Sequence, residues 1–184
     1  EYEKFKNGTK ENTKNYYLIV SRLEEWKKLD YAIEAFNETG EYLKIIGSGP
    51  LEKKLKLKSK QNIEFIGNVS DELLIKYYGR SKALIFTPAL EYGLTPLESV
   101  ASGTPVIAFG EGAINETMIP FVNKDDFCTA VFFNKQNKDS LINAISKFEN
   151  ISFNKKSLTE YAEKFSENNF KIKMRNFIIN KNTI

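Results

Sequence analysis

Six short apolar runs, each followed by a longer stretch, set the strongest limit on how this chain can fold. The runs are YYLIV at Tyr16–Val20, YLKII at Tyr42–Ile46, IEF at Ile63–Phe65, ALIFT at Ala83–Thr87, PVIAF at Pro105–Phe109 and TAVFF at Thr129–Phe133. Most are nearly continuous in apolar character, as in strands buried on both faces. Strands of that kind, separated by helices, form a parallel sheet covered by helices on both sides. The intervening stretches fit. WKKLDYAIEAFNE, from Trp26, puts Leu29, Ile33 and Phe36 on one helical face, and LEKKLKLKSK, from Leu51, reads as a basic helix. Ser70 can cap a helix carrying Leu73, Leu74, Tyr77 and Tyr78, with Asp71 and Glu72 in the first turn, where the dipole favours acids. Asp139–Phe148 reads as a helix, and two more close the chain, one with Leu158, Tyr161 and Phe165, the other with Phe170, Met174, Phe177 and Ile178. The expected fold is α/β, a doubly wound parallel sheet (Rossmann-like) with C-terminal helices. Residues 1–14 are polar and aperiodic and read as a linker or loose N-terminal segment, leaving 15–184 as the domain.

Composition removes several function classes. The 27 basic and 24 acidic residues leave a net charge of +3, with lysines scattered rather than gathered in a stripe, so no nucleic acid partner is expected. The single Cys128 excludes an internal disulfide and fits a reducing compartment. No apolar run is long enough to span a bilayer, and the first residues do not form a signal peptide. Histidine is absent, so chemistry that needs it must be supplied from elsewhere. The chain opens at Glu1 rather than methionine, and a longer protein is expected.

Ligands of such sheets bind outside the carboxyl ends of the strands. Those ends carry Ser21-Arg22, Gly47-Ser48-Gly49, Gly67-Asn68-Val69, Pro88–Thr95 and Gly110–Ala113. The richest is LEYGLTPLESVASGTPVIA, from Leu90, where Glu91 and Glu98 flank the start of a helix. Helix starts expose N–H groups that favour anions, so two carboxylates there call for a reason. Thr95-Pro96-Leu97-Glu98 fits a capping box, with Thr95 at the N-cap and Glu98 three beyond. Alternatively, the carboxylates hold hydroxyl groups of a ligand whose phosphates take the N–H groups. Local rules leave both readings open.

SRLEEWKKLDYAIEAF, IIGSGP, IEFIGNVSDELL and EYGLTPLESVASGTPVIA follow one another in an order and spacing that resembles the nucleotide-sugar-binding C-terminal domain of the GT-B retaining glycosyltransferases of family 4, also called group 1. The block from Leu94 looks closest to its mannosyltransferases. The resemblance implies a catalytic set of Arg22 and Lys27, gripping the donor diphosphate, with Glu91 on hydroxyls of the transferred sugar. It implies a donor-binding set of Ser21, Gly47, Gly49, Asn68, Val69, Gly93, Leu94, Thr95 and Glu98. Within that set the phosphates sit on the Gly93–Thr95 backbone, Glu98 accepts from ribose hydroxyls, and the base lies against Gly67–Val69. One position departs: the family places seven residues between its two glutamates, whereas Glu91 and Glu98 enclose six, and Leu90 stands three before Gly93.

The implied reaction moves a hexose, mannose first, from a nucleoside-diphosphate sugar to an acceptor hydroxyl with retention. GDP-mannose is the first expectation for the donor and UDP-hexoses the next, with no metal and no further cofactor. The implied partners are an N-terminal acceptor-binding domain of the same protein, which usually supplies a histidine, and a glycan or lipid-linked acceptor. The expected location is the cytoplasm, with any contact to the inner membrane face made through the missing domain. A non-catalytic nucleotide-sugar module and another GT-B enzyme, such as a nucleotide-sugar epimerase, are the alternatives. A dinucleotide-dependent dehydrogenase is disfavoured, because the first strand leads to SRLEEW and not to a Gly-x-Gly-x-x-Gly turn.

Overall fold

The computed structural model describes Phe5, residues 15–89 and residues 92–181. Strands are β1 (Tyr17–Val20), β2 (Leu43–Ile46), β3 (Ile63–Gly67), β4 (Leu84–Phe86), β5 (Val106–Phe109) and β6 (Ala130–Phe133). Helices are α1 (Leu29–Thr39), α2 (Glu52–Lys58), α3 (Asp71–Arg80), α4 (Leu94–Ala101), α5 (Ile114–Thr117), α6 (Lys138–Phe148), α7 (Lys155–Ala162) and α8 (Glu167–Lys181), with 3-10 turns at Glu25–Lys27 and Glu163–Phe165. The strands form one sheet in the order β3-β2-β1-β4-β5-β6, each pair parallel. This is the doubly wound α/β sheet expected from the runs. The chain starts in the middle, winds outward through β3, then returns to place β4 against β1. A crevice opens where the winding reverses, at the carboxyl ends of β1 and β4.

Successive strand residues point to opposite faces, so each strand feeds two cores. Tyr17, Ile19, Ile45, Ile85 and Ile107 pack under α1 and α6, while Leu18, Leu84, Phe86, Val106 and Ala108 pack with Tyr78 of α3 and Val100 of α4. Burial of each Leu, Ile, Val or Phe among them contributes about 1.5–3 kcal/mol. Phe5 belongs to the second core, its ring edge-on to Tyr78 at 5.8 Å.

Local signals set most boundaries. Ser70 Oγ accepts from the Leu73 N–H, Asn137 Oδ1 from Ser140 and Asn154 Oδ1 from Ser157, each an N-cap. Four boundaries or faces differ from the reading of the sequence. The helix read from Trp26 begins at Leu29, because Lys28 takes a left-handed conformation (φ 56°) and separates it from the preceding 3-10 turn. Leu73, read on the buried face of α3, is 41% exposed. Phe165 lies in a 3-10 turn rather than in α7, and Phe170, Met174, Phe177 and Ile178 of α8 are exposed.

Candidate functional site

The crevice is a cleft of about 900 Å³. One wall comes from the end of β1 and the turn after it, with Ser21, Arg22 and Lys27. The opposite wall is the entry to α4, with Tyr92, Gly93, Leu94 and Thr95, and the side comes from Gly47-Ser48-Gly49 and Asn68-Val69. Ten of the residues singled out from sequence therefore meet around one cavity: Ser21, Arg22, Lys27, Gly47, Gly49, Asn68, Val69, Gly93, Leu94 and Thr95.

The cationic wall is built by backbone geometry. Arg22 leaves β1 exposed and pairs with Glu24 at 2.5 Å, while Trp26 Nε1 donates to the other Glu24 oxygen at 2.6 Å. Lys27 Nζ lies 3.9 Å from the Trp26 ring centroid. The Lys27 carbonyl accepts a hydrogen bond from Thr87 Oγ1 at 2.6 Å, tying this turn to the end of β4.

The opposite wall is a helix start. Gly93 holds φ 69°, a left-handed conformation that glycine adopts at little cost, and α4 begins at the next residue. The first helical turn leaves N–H groups without intrahelical acceptors and carries the positive end of the helix dipole. Arg22, Lys27 and this turn make a cavity suited to a polyanion.

The capping box read from Thr95 does not form. The helix starts at Leu94, Gly93 is the N-cap, and no side chain caps it. Glu98 instead accepts a hydrogen bond from Tyr78 Oη at 2.9 Å and borders a smaller cavity of about 70 Å³ beside the cleft, shared with Leu94, Leu97 and Phe165. Burial, then the Glu98 charge, holds the Tyr78 phenol far above its ordinary pKa, so it stays a donor. Glu91 lies outside the described residues.

Two glycines of the cleft wall also allow a close approach within the protein itself. A Cβ on Gly47 would stand 2.0 Å from the Ser21 carbonyl oxygen, and one on Gly49 would stand 2.5 Å from that of Leu23. Their loop packs directly on the turn after β1, through Ser21 N–H to Ile46 O and Leu23 N–H to Ser48 O, both at 3.0 Å. The Gly110–Ala113 loop, also marked from sequence, does not line the cleft. Its strand lies one place beyond β4, away from the reversal between β1 and β4.

The family model for glycosyl transferases group 1 matches residues 1–171. The chain belongs to the group 1 glycosyltransferases. Over 208 residues it is 28% identical to the alpha-1,3/1,6-mannosyltransferase ALG2 of Dictyostelium discoideum, an alignment covering 97% of this chain and 47% of that protein. It is 26% identical over 158 residues to a glycogen synthase of Mycoplasma mobile, covering 79% of this chain and 33% of that one. The fold matches the sucrose-phosphate synthase of Thermosynechococcus elongatus with a TM-score of 0.75 at 21% identity, over 92% of this chain and 46% of that chain. It also matches a pneumococcal O-GlcNAc transferase, GtfA, with a TM-score of 0.72 at 19% identity, over 94% and 37% of the two chains. The group 1 glycosyltransferase chain thus spans less than half the length of these proteins.

Two residues of this glycosyltransferase domain escaped the sequence reading. Thr87 was read only as the end of a strand, and Tyr78 only as one member of an apolar helix face. No local pattern marks either, since both act through partners distant in sequence. Among the described residues, no helix is long and apolar enough to cross a membrane.

Proposed function

We propose that this domain binds the donor of a retaining hexosyltransferase, which moves a sugar from a nucleoside diphosphate to an acceptor hydroxyl. The observation that carries the reading is the cleft lined both by Arg22 and Lys27 and by the N-terminal turn of α4. A diphosphate seated there meets cations on one side and N–H dipoles on the other. As the sugar–phosphate bond breaks, charge builds on the departing diphosphate and the sugar becomes oxocarbenium-like. Donors fixed in advance at the phosphates stabilise that state, each by about 3 kcal/mol by analogy with oxyanion-hole donors. In this proposal the residues and helix end serve in place of a metal ion.

Glu98 accepts from the ribose hydroxyls, Glu91 from hydroxyls of the transferred sugar, and the base lies along Asn68 and Val69. A carboxylate is an acceptor-only group with several lone pairs, so Glu98 can hold the Tyr78 hydroxyl and a sugar hydroxyl together. Mannose is the first sugar proposed, because mannosyltransferases, including ALG2, are among the relatives. UDP-linked hexoses come next, since the pneumococcal neighbour was crystallised with UDP and GlcNAc. The acceptor site belongs to an N-terminal domain of the full protein, so this chain alone binds donor without measurable transfer.

A thermal-shift panel of GDP, UDP, ADP and their sugars tests the reading. A ligand at a hundred times its Kd adds about 2.7 kcal/mol of stability. One nucleotide family raising the melting temperature well above the others is expected, and no shift with any of them removes the proposal. The short spacing between Glu91 and Glu98 favours one second reading, a nucleotide-sugar-binding module without transferase activity. Transfer activity of the full-length protein decides between the two.

A further inference from the structure

We propose that Thr87 is the positioning residue that sets Lys27 against the diphosphate site, and that the Phe86-Thr87 pair at the end of β4 fixes both sides of the cleft. This inference rests on the donor-binding reading above.

Thr87 is 2% exposed, directly after β4. Its hydroxyl donates to the Lys27 carbonyl at 2.6 Å. Its own carbonyl accepts from Tyr31 Oη of α1 and from Gln136 Nε2, both at 3.0 Å. Thr87 is therefore clamped by two other elements and passes that fixed position to the lysine turn. The turn needs such support. Lys28, next to Lys27, sits at φ 56°, a conformation that a side chain with a Cβ adopts only when its surroundings hold it there.

Phe86 points to the other side of the sheet, as neighbours on a strand must. Its ring lies under the entry to α4: a Cβ on Gly93 would come within 2.9 Å of Phe86 Cζ. Adjacent residues of one strand thus register the cationic turn on one face and the helix N-terminus on the other. The span between lysine and N–H groups is set by two residues that themselves line the floor of the cleft.

The test is calorimetric titration of the chain with GDP and UDP, and with GMP and UMP as controls lacking the second phosphate. Thr87→Val keeps the branched shape and loses the donor, Thr87→Ser keeps the hydroxyl, and Lys27→Ala is the benchmark. A hydrogen bond of ordinary strength predicts a diphosphate affinity about fivefold to tenfold lower for Thr87→Val. Monophosphate affinity is expected to change less than about twofold, and Thr87→Ser to stay near wild type. Should Thr87→Val fail to fold, Thr87→Cys, a weaker donor of similar size, carries the same comparison. Diphosphate binding unchanged in the donor-less variant, equal losses for mono- and diphosphate, or no rescue by serine overturns the inference while wild-type binding leaves the donor reading standing. Wild-type chain that binds neither GDP nor UDP overturns both.

Discussion

Tyr78 of α3, fully buried, donates its hydroxyl hydrogen to Glu98 Oε2 of α4 across 2.9 Å. Two helices that line the cleft, α3 through Leu74 and α4 through Leu94 and Thr95, are thereby joined by a bond between a buried phenol and a half-buried carboxylate. Removing either partner has a different consequence. Glu98→Ala strands a buried hydroxyl and costs about 1–3 kcal/mol, whereas Tyr78→Phe leaves a carboxylate that water can reach and costs about 0.5–1.5 kcal/mol. Urea unfolding of both variants is expected to give that order, and the reverse order would place the polar burden on the carboxylate.

Under the proposed donor reading, the same carboxylate separates two binding roles. Glu98→Ala is expected to weaken nucleoside diphosphate binding much more than Glu91→Ala does, since the ribose is part of every nucleotide and the transferred sugar is not. Titration of UDP or GDP into both variants measures this. Equal losses would mean that the shortened loop brings Glu91 onto the nucleotide itself.

Glu24 holds the Arg22 guanidinium at 2.5 Å on the rim of the cleft. Arg22 is highly exposed, so the pair is weak and a diphosphate displaces it at small cost. Glu24→Gln is expected to tighten GDP or UDP binding by about 0.2–1 kcal/mol at low salt. The gain should disappear near 1 M salt, where the screening length falls to about 3 Å. Tighter binding that persists at high salt would argue for a change of shape rather than of charge.

Lys82 bridges Glu41 at 3.0 Å and Glu149 at 2.8 Å, and Tyr17 Oη donates to Glu149. Burial pushes the Glu149 pKa up, but the Lys82 and Tyr17 hydrogen bonds and the Lys82 charge outweigh it and hold the group below its ordinary value. A carboxylate lowered in the folded state stabilises above its unfolded pKa, about 4.3, and loses that contribution as pH falls through the folded value. The stability gap between wild type and Glu149→Gln is therefore expected to be full at pH 7 and to shrink in acid below about 4.3. A gap that stays constant to pH 3 would contradict this.

Gly47 and Gly40 both have positive φ, 123° and 72°, yet differ in what surrounds them. A Cβ at Gly47 meets a carbonyl oxygen at 2.0 Å, and one at Gly40 meets nothing within 4 Å. Gly40→Ala is expected to lose about 1–2 kcal/mol for the left-handed conformation alone. Gly47→Ala adds overpacking of about 1–3 kcal/mol to a comparable strain and displaces the loop from the cleft. Chemical denaturation compares them, and similar losses would mean that the Gly47 loop yields easily.

The sheet and most helices were legible because each strand is a nearly unbroken apolar run and several helices open on Ser or Asn caps. Ser70 is the plain case, predicted as a cap and observed as one. The cleft residues were legible through motif resemblance and through the rule that ligands sit at strand carboxyl ends. Other features depended on contacts that no local window contains. The start of α4 was misplaced by two residues because Gly93 turns the chain early over the Phe86 ring, which no capping pattern records. The tight packing of Gly47 and Gly49 on Ser21 and Leu23 is set by a loop more than 20 residues away in sequence, so no local window records it. Thr87 and Tyr78 looked like apolar-run and helix-face residues for the same reason.

The cluster of Lys82, Glu41, Glu149 and Tyr17 sits at the amino ends of β1, β2 and β4, opposite the mouth of the cleft. The charge cluster and the cleft are consequently at opposite ends of one sheet. An engineer can harden the amino-end pole for heat or acid while leaving the cleft alone, or alter the cleft without touching the charge cluster that ties the amino ends of β1, β2 and β4 together.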